Sequence, residues 1–481
     1  MPPRWLPSLQ SPRHVLLWLL LLAHLYCCGG AAAASPDRPN ILFLFTDDQR
    51  ADTIHALGNS AIHTPNLDRL VERGLSFQRA YMQGGHHGAT CMPSRAMLLS
   101  GRHLYHVDET LLRDDTWPAA FARAGYTTFL AGKWHNGTNS VPRVFQDARA
   151  VFAGGMVNPM KASLSDLEGG HLGPARPAGQ HACAAFADAT IDFLHRQDPM
   201  GAPFFCYLAF DAPHDPHIVP DEYPVRYDPA RIALPRNFLP QHPWDNGEMT
   251  VRDELLLPWP RQPGAVRELI ADYYRYISYL DSQIGRVLDA LDASPFARNT
   301  IVVFSADSGV ARGSHGLIGK QNLYEHSIRV PLLIAGPGIP KNRRTDALCY
   351  LFDVLPTLGA RAHIPGPATN DGINLNAVLT DPDRPGRASL FFGYRNLQRA
   401  VRDARWKLIR YPWVDRTQLF DLRSDPLEMH NLAEDPRHRA TRDRLMTLLR
   451  DEQRHFSDTA ALTVATPKTA NWVPLAPEKV P

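Results

Sequence analysis

Four stretches of the chain are apolar at almost every position and stop at polar or charged residues. Asn40–Thr46 is closed by Asp47-Asp48, Thr127–Ala131 by Gly132-Lys133, Phe204–Phe210 by Asp211, and Thr300–Ser305 by Asp307. Short apolar runs without alternation suit strands buried on both faces. Between them apolar residues recur at helical spacing over His63–Arg73, Trp117–Ala124, Ala184–Arg196 and the long Ala265–Leu291. Strands alternating with helices predict an α/β sheet, and ligand sites in such sheets lie beyond the carboxyl ends of the strands. The polar closures fall at those ends.

Elsewhere the pattern fails. Residues 136–180 are rich in Gly, Pro and polar side chains, and residues 211–263 are Pro-rich and irregular. Loops this long inside a compact domain commonly form the walls of a binding site. From about residue 375 the texture changes. Ser389–Tyr394, Arg399–Val401, Trp406–Tyr411 and Gln418–Asp421 read as short antiparallel strands, followed by a helix over Arg439–His455. The expected organisation is a large domain over residues 36–375 and a smaller α+β domain over 376–481.

Composition narrows the field. The 481 residues are 44% hydrophobic and 21% charged, ordinary for a globular protein. A formal net charge of +2, with no basic run, gives no footing for nucleic-acid or membrane-surface binding. The first 35 residues stand apart. Arg4 and Arg13 precede the apolar Val15–Ala23, and Ala31–Ala34 offer small residues for cleavage. That order reads as a secretory signal peptide over residues 1–35, hence a periplasmic or secreted protein with no stable membrane insertion after cleavage. An uncleaved anchor or a lipoprotein on Cys27 or Cys28 are the alternatives. Four cysteines remain beyond the leader (91, 183, 206 and 349), too few for a disulfide framework.

Asp47 and Asp48 are adjacent carboxylates that repel unless a cation or hydrogen-bond donors lie between them. Asp307 adds a third from another strand end. Carboxylates without a cysteine or histidine pattern of zinc spacing favour an all-oxygen site for Ca²⁺ or Mg²⁺. Between them lies Cys91-Met92-Pro93-Ser94-Arg95. This C-x-P-S-R core resembles the maturation motif of type I sulfatases, in which a generating enzyme oxidises the cysteine to formylglycine. The same order of motifs continues through Gly132-Lys133-Trp134-His135, Ala212-Pro213-His214, Asp307-Ser308-Gly309, Gly319-Lys320, Arg329-Val330-Pro331 and Leu419-Phe420-Asp421-Leu422 with Asp425-Pro426. The similarity to sulfatases of the alkaline phosphatase superfamily spans residues 38–435.

The resemblance implies an alkaline-phosphatase-like fold: a large mixed β-sheet sandwiched by helices, with a smaller C-terminal α+β domain carrying a short antiparallel sheet. It implies hydrolysis of sulfate monoesters by a formylglycine nucleophile made from Cys91. Asp47, Asp48, Asp307, the modified Cys91 and the following Ser308 would hold a divalent cation, typically Ca²⁺. Arg95 would steady the nucleophile, which a helix over Ser94–Arg102 places near its positive end. Lys133 and Lys320 would bind sulfate oxygens. His135 would act as the base that releases sulfate, and His214, with Lys320, would bind sulfate and protonate the leaving alcohol. Ser308 departs from the pattern, which places Asn or His there, so the site is expected to bind its metal more weakly, through a water or through a substitute such as Asn322. The long loops, with Arg395, Arg399 and Arg402, suggest a broad polar pocket for a sulfated carbohydrate. The rival readings are a phosphonate or phosphate ester hydrolase on the same scaffold and an inactive binding protein.

Overall fold

The computed structural model describes residues 38–473, so the leader reading lies outside the described residues. The main sheet is built from β1 (Asn40–Thr46), β2 (Gly74–Tyr81), β3 (Thr127–Lys133), β4 (Asp147–Phe152), β5 (Phe204–Ala209), β6 (Thr300–Ala306), β7 (Arg329–Ala335) and β8 (Arg343–Thr345). Its order is β8-β2-β7-β6-β1-β5-β3-β4, and a two-residue strand, Cys349–Tyr350, pairs with β2 as a ninth. Pairing is parallel from β6 through β1, β5 and β3 to β4, and antiparallel where β7 joins β6 and β2. The sheet is therefore mixed, as the resemblance implies.

Helices cover both faces, which explains the unbroken apolar runs. In β1, Ile41, Phe43 and Phe45 enter one core with Phe121 of α3 (Trp117–Arg123), the third helix after α1 (Pro65–Arg73) and α2 (Cys91–Ser100). Leu42 and Leu44 enter the other, with Leu67 of α1, Phe186 of α4 (Ala182–His195) and Leu280 of α5 (Pro263–Asp292). Successive side chains of a strand alternate faces, so a strand apolar at every position needs two cores. β1, β5 and β6 are wholly buried.

Three strands escape the sequence pattern for identifiable reasons. β4 lies inside residues 136–180, read as irregular; its register shifts and Ala150 adopts a positive φ of 50°, a bulge that breaks alternation. β2 follows α1 directly and carries the polar Ser76, Gln78 and Arg79, while β7 begins at the half-buried Arg329. Residues 211–263 are irregular apart from 3₁₀ turns and the start of α5, as expected. α2 corrects a boundary. It begins at Cys91 rather than Ser94, because Pro93 lies in its first turn, where the missing N–H has no intrahelical partner to lose. It ends at Ser100, where Gly101 takes φ 74° and donates its N–H to Met97 O at 2.9 Å.

The second sheet runs β12-β11-β10-β9, formed by β9 (Leu390–Tyr394), β10 (Gln398–Arg402), β11 (Trp406–Tyr411) and β12 (Arg416–Asp421), all antiparallel. α6 (Arg439–His455) adds Leu445 and Leu449 to the core that also holds Val401 and Leu408. The far edge of this sheet is Gly84–Gly85, pairing parallel with Gly393 and Tyr394. The loop leading to Cys91 is thus a strand of the smaller sheet.

Candidate active site

Three strand ends and one helix start converge. Asp47 and Asp48 leave β1, Lys133 ends β3, Asp307 follows β6, and Cys91 opens α2. Backbone hydrogen bonds fix the strand ends together: Asp47 N donates to Ala212 O at 3.0 Å and Asp307 N to Thr46 O at 3.1 Å. Asp48 turns back with φ 59°; its N–H donates to Asp307 Oδ1 at 3.1 Å, and Tyr273 Oη of α5 donates to its carbonyl at 2.6 Å. Ser94 Oγ donates to Asp307 O at 2.7 Å, tying α2 to β6.

The side chains form a buried cluster of three carboxylates and three cations. Arg95 reaches Asp307 Oδ2 at 2.9 Å and Asp47 Oδ2 at 3.2 Å, Lys133 bonds Asp47, and Lys320 Nζ lies 2.6 Å from Asp48 Oδ1. Ser308 Oγ donates to the same Asp48 oxygen at 2.8 Å. Cys91 Sγ sits 3.1 Å from His135 Nδ1, and His214 Nε2 lies 3.6 Å from Asp48 Oδ2. All ten site residues expected from the sequence (Asp47, Asp48, Cys91, Arg95, Lys133, His135, His214, Asp307, Ser308 and Lys320) fall in this one cluster.

Residues 39–364 match the family model described as Sulfatase, and residues 313–455 match one described as N-sulphoglucosamine sulphohydrolase, C-terminal. The chain belongs to the sulfatase family. It is a sulfuric ester hydrolase. An N-acetylglucosamine-6-O-sulfatase of Bacteroides thetaiotaomicron is 26% identical to this sulfatase, over 93% of this chain and 92% of the relative. A solved protein bound to its substrate, D-glucosamine-2-N,6-O-disulfate, superposes with a TM-score of 0.72 at 23% identity, covering 88% of this chain and 99% of the other. The phosphonate monoester hydrolase of Agrobacterium radiobacter has the same fold, with a TM-score of 0.70 at 22% identity over 87% and 96% of the two chains.

Burial and charge set the protonation states. Burial pushes Asp47 up, but Lys133, Arg95, His214 and Lys320 outweigh it and hold the carboxyl well below the usual range. Asp307 is pushed up to about 6 by burial and by the charge of Asp47. Burial lowers both lysines, yet Asp47 beside Lys133 and Asp48 beside Lys320 raise them above the ordinary value, so both stay ammonium. Burial and Lys133 push His135 down to about 3, leaving a neutral imidazole. The Cys91 thiol is pushed up to about 11 by burial, only partly offset by Lys320 and Lys133. A thiol held protonated at neutral pH is a poor nucleophile.

The donor set suits a hard divalent cation. Ligand atoms of Asp47, Cys91 and Asp307 lie within 4.8 Å of one another, as do those of Asp47, Asp48 and His214. Asp47 Oδ1 is buried with no hydrogen-bond partner, an orphaned oxygen that a cation would satisfy. Asn322 is already engaged, its Oδ1 accepting the Tyr324 N–H at 3.2 Å.

Sequence reasoning missed two supporting residues, Gly155 and Tyr273. Gly155 has its carbonyl accepting from Lys133 Nζ, and a Cβ on it would stand 2.6 Å from His135 Nε2. Tyr273 lies mid-helix with nothing in its neighbours to mark it; Gly155 sits in a stretch read only as loop. Gly155→Ala is expected to lower sulfate-ester turnover about 100-fold by displacing His135, with a thermal midpoint close to wild type. Steady-state kinetics beside a melting curve checks this, and full activity would refute it. Two expected pocket arginines lie elsewhere. Arg399 is buried and paired with Asp458 at 2.6 Å, and Arg402 is buried against Tyr81 and Glu325. The two are three residues apart on β10 and so face opposite sides of it, Arg402 toward the main sheet and Arg399 toward Asp458, whereas Arg395 is 42% exposed and pairs with Glu248 at 2.9 Å.

Proposed function

We propose that this sulfatase is exported and hydrolyses a sulfate monoester of a carbohydrate, using formylglycine generated from Cys91 by a maturation enzyme. The observation that carries the reading is the placement of Cys91 Sγ in the first turn of a buried helix, among Lys133, Lys320, Arg95 and the three carboxylates. A carbohydrate substrate is supported by the relative named as an N-acetylglucosamine-6-O-sulfatase and by the long loops beyond the strand ends.

Asp47, Asp48 and Asp307 would hold a divalent cation, with Ca²⁺ favoured by the carboxylate donors. When bound, such a cation supplies charge stabilisation to the sulfuryl oxygens. The chain's own groups then divide the work. Lys133 and Lys320 present ammonium groups to the same oxygens once substrate competes with Asp47 and Asp48 for them. His214 Nδ1 lies 2.8 Å from Asp215 O, an acceptor, so Nδ1 carries the hydrogen and Nε2 faces the site. A proton placed on Nε2 is positioned for delivery to the leaving alcohol. His135, neutral and 3.1 Å from the residue-91 side chain, is placed to take a proton there.

The test is sulfate release from a panel of sulfated mono- and oligosaccharides, with the mass of the Cys91 peptide measured on the same preparation. Phenylphosphonate and p-nitrophenyl phosphate belong in the panel; turnover of these alone would favour the phosphonate or phosphate reading. Unmodified cysteine beside a competent maturation enzyme would favour an inert fold. Ser308 adds a separate test. Its short hydroxyl already donates to Asp48, so Ser308→Asn is expected to tighten Ca²⁺ binding about tenfold by calorimetry. Equal affinity would show that position 308 does not limit the site.

A further inference from the structure

The turn joining β11 to β12 presents an exposed aromatic ring. Trp413 is 41% exposed, yet its backbone is held firmly: Lys468 N donates to Trp413 O at 2.7 Å, and Arg410 pairs with Asp415 at the end of the turn. Lys468 Nζ lies 4.6 Å from the Trp413 ring centroid and has no carboxylate partner among the described residues. Beside them opens a hollow of about 430 Å³, bounded by Asp245, Asn246, Arg395, Asn396, Trp413 and Lys468.

Two links tie the wall of the hollow to segments that carry the catalytic cluster. Arg395 N donates to Gly85 O at 2.8 Å, and its Nη2 would stand 3.8 Å from a Cβ on Gly88, three residues before Cys91. On the other side, Gln398 Nε2 lies 3.3 Å from both Asn246 O and Gln321 O, so one amide bridges the wall of the hollow to the neighbour of Lys320.

We propose that this hollow is a saccharide subsite, binding a neighbouring sugar of a sulfated oligosaccharide whose scissile ester occupies the Cys91 cluster. A pyranose ring presents an apolar C–H face that packs on an indole, and a fixed aromatic surface loses little freedom on binding. The volume lies in the range of small-molecule pockets. Lys468, lacking a carboxylate partner, selects an anionic substituent over a neutral sugar. Asn396, and Arg395 through the N–H groups not used in its 2.9 Å pair with Glu248, supply donors to its hydroxyl or sulfate oxygens. The proposal rests on the carbohydrate reading of the active site.

Calorimetry on the Cys91→Ala protein, with hexasaccharides of heparin, chondroitin sulfate and carrageenan and with neutral maltohexaose, tests it. At least one sulfated hexasaccharide is expected to bind while maltohexaose does not. Trp413→Ala and Lys468→Ala, each made in that background, should weaken binding about tenfold with unchanged melting curves. Equal affinity in both variants, or binding of no sulfated hexasaccharide, would overturn the subsite. Sulfate release by the wild type is scored separately. Its absence overturns carbohydrate hydrolysis and with it the scissile-ester register, whereas weakened binding in Trp413→Ala shows saccharide binding at the hollow in either case.

Discussion

Cys91→Ala is expected to lower sulfate release by at least about 1,000-fold while leaving the protein folded. The argument has two halves. Cys91 is 1% exposed and supplies the atom at the centre of the charged cluster, with His135 Nδ1 at 3.1 Å and the ligand atoms of Asp47 and Asp307 within 4.8 Å. Three cations and three carboxylates surround it, so the cluster is balanced without substrate, and a bound divalent ion would leave an excess of positive charge to receive a sulfate ester. In the proposed reaction, removing the side chain removes the acceptor of the sulfuryl group and leaves that charge intact. The structural cost is small. Residue 91 opens a helix, alanine is the best helix former, and a lost sulfur in the core costs about 1 kcal/mol. Ion chromatography of released sulfate, beside a melting curve, separates the two effects. A variant that keeps even a tenth of the wild-type rate would mean that another residue accepts the sulfuryl group.

The same cluster shows what a sequence can disclose. Strands β1, β3, β5 and β6 are legible because burial on both faces leaves their central positions almost wholly apolar, and their polar closures then mark the strand ends. Asp47, Lys133 and Asp307 are therefore readable as converging groups before any coordinates are known. Cys91, Arg95 and the histidines become legible only through the order of motifs, since a lone histidine in a loop carries no spatial information. Gly155 and Tyr273 stay hidden for a physical reason: each acts by approach from a distant element, Gly155 onto the His135 ring and Tyr273 onto the Asp48 carbonyl. The arginines of β10 were misleading because charge in a sequence reads as exposure. Arg399 and Arg402 are buried, and each is matched to a carboxylate far away in the chain.

That interface yields the largest expected loss of stability. Lys407 of β11 is wholly buried, with Nζ 3.1 Å from Glu325 Oε1 and 2.7 Å from Glu428 Oε1. Tyr81 Oη, at the end of β2, donates to Glu325 Oε2 at 2.7 Å, so the network joins the main sheet to the smaller one. Burial pushes Glu325 up, but Lys407 and Arg402 outweigh it and bring it down to about 2. Glu428 is pushed up to about 7 by burial, which Lys407 only partly offsets. Lys407→Met removes the cation between them and leaves two buried carboxylates sharing Arg402, a loss of about 3–5 kcal/mol. The pH dependence has a definite sign. Above the unfolded carboxylate value of 4.5, a folded glutamate with a raised pKa binds more protons than the unfolded chain, so stability falls as pH rises towards 7. Removing Lys407 raises Glu428 further and takes from Glu325 the cation that chiefly lowers it, so the urea midpoint of the variant should lie further below wild type at pH 8 than at pH 5.5. Adding Glu428→Gln to Lys407→Met should recover much of the loss, because it removes one uncompensated charge. A variant as stable as wild type at pH 8, or a deficit independent of pH, would show that Lys407 does not hold the two sheets together.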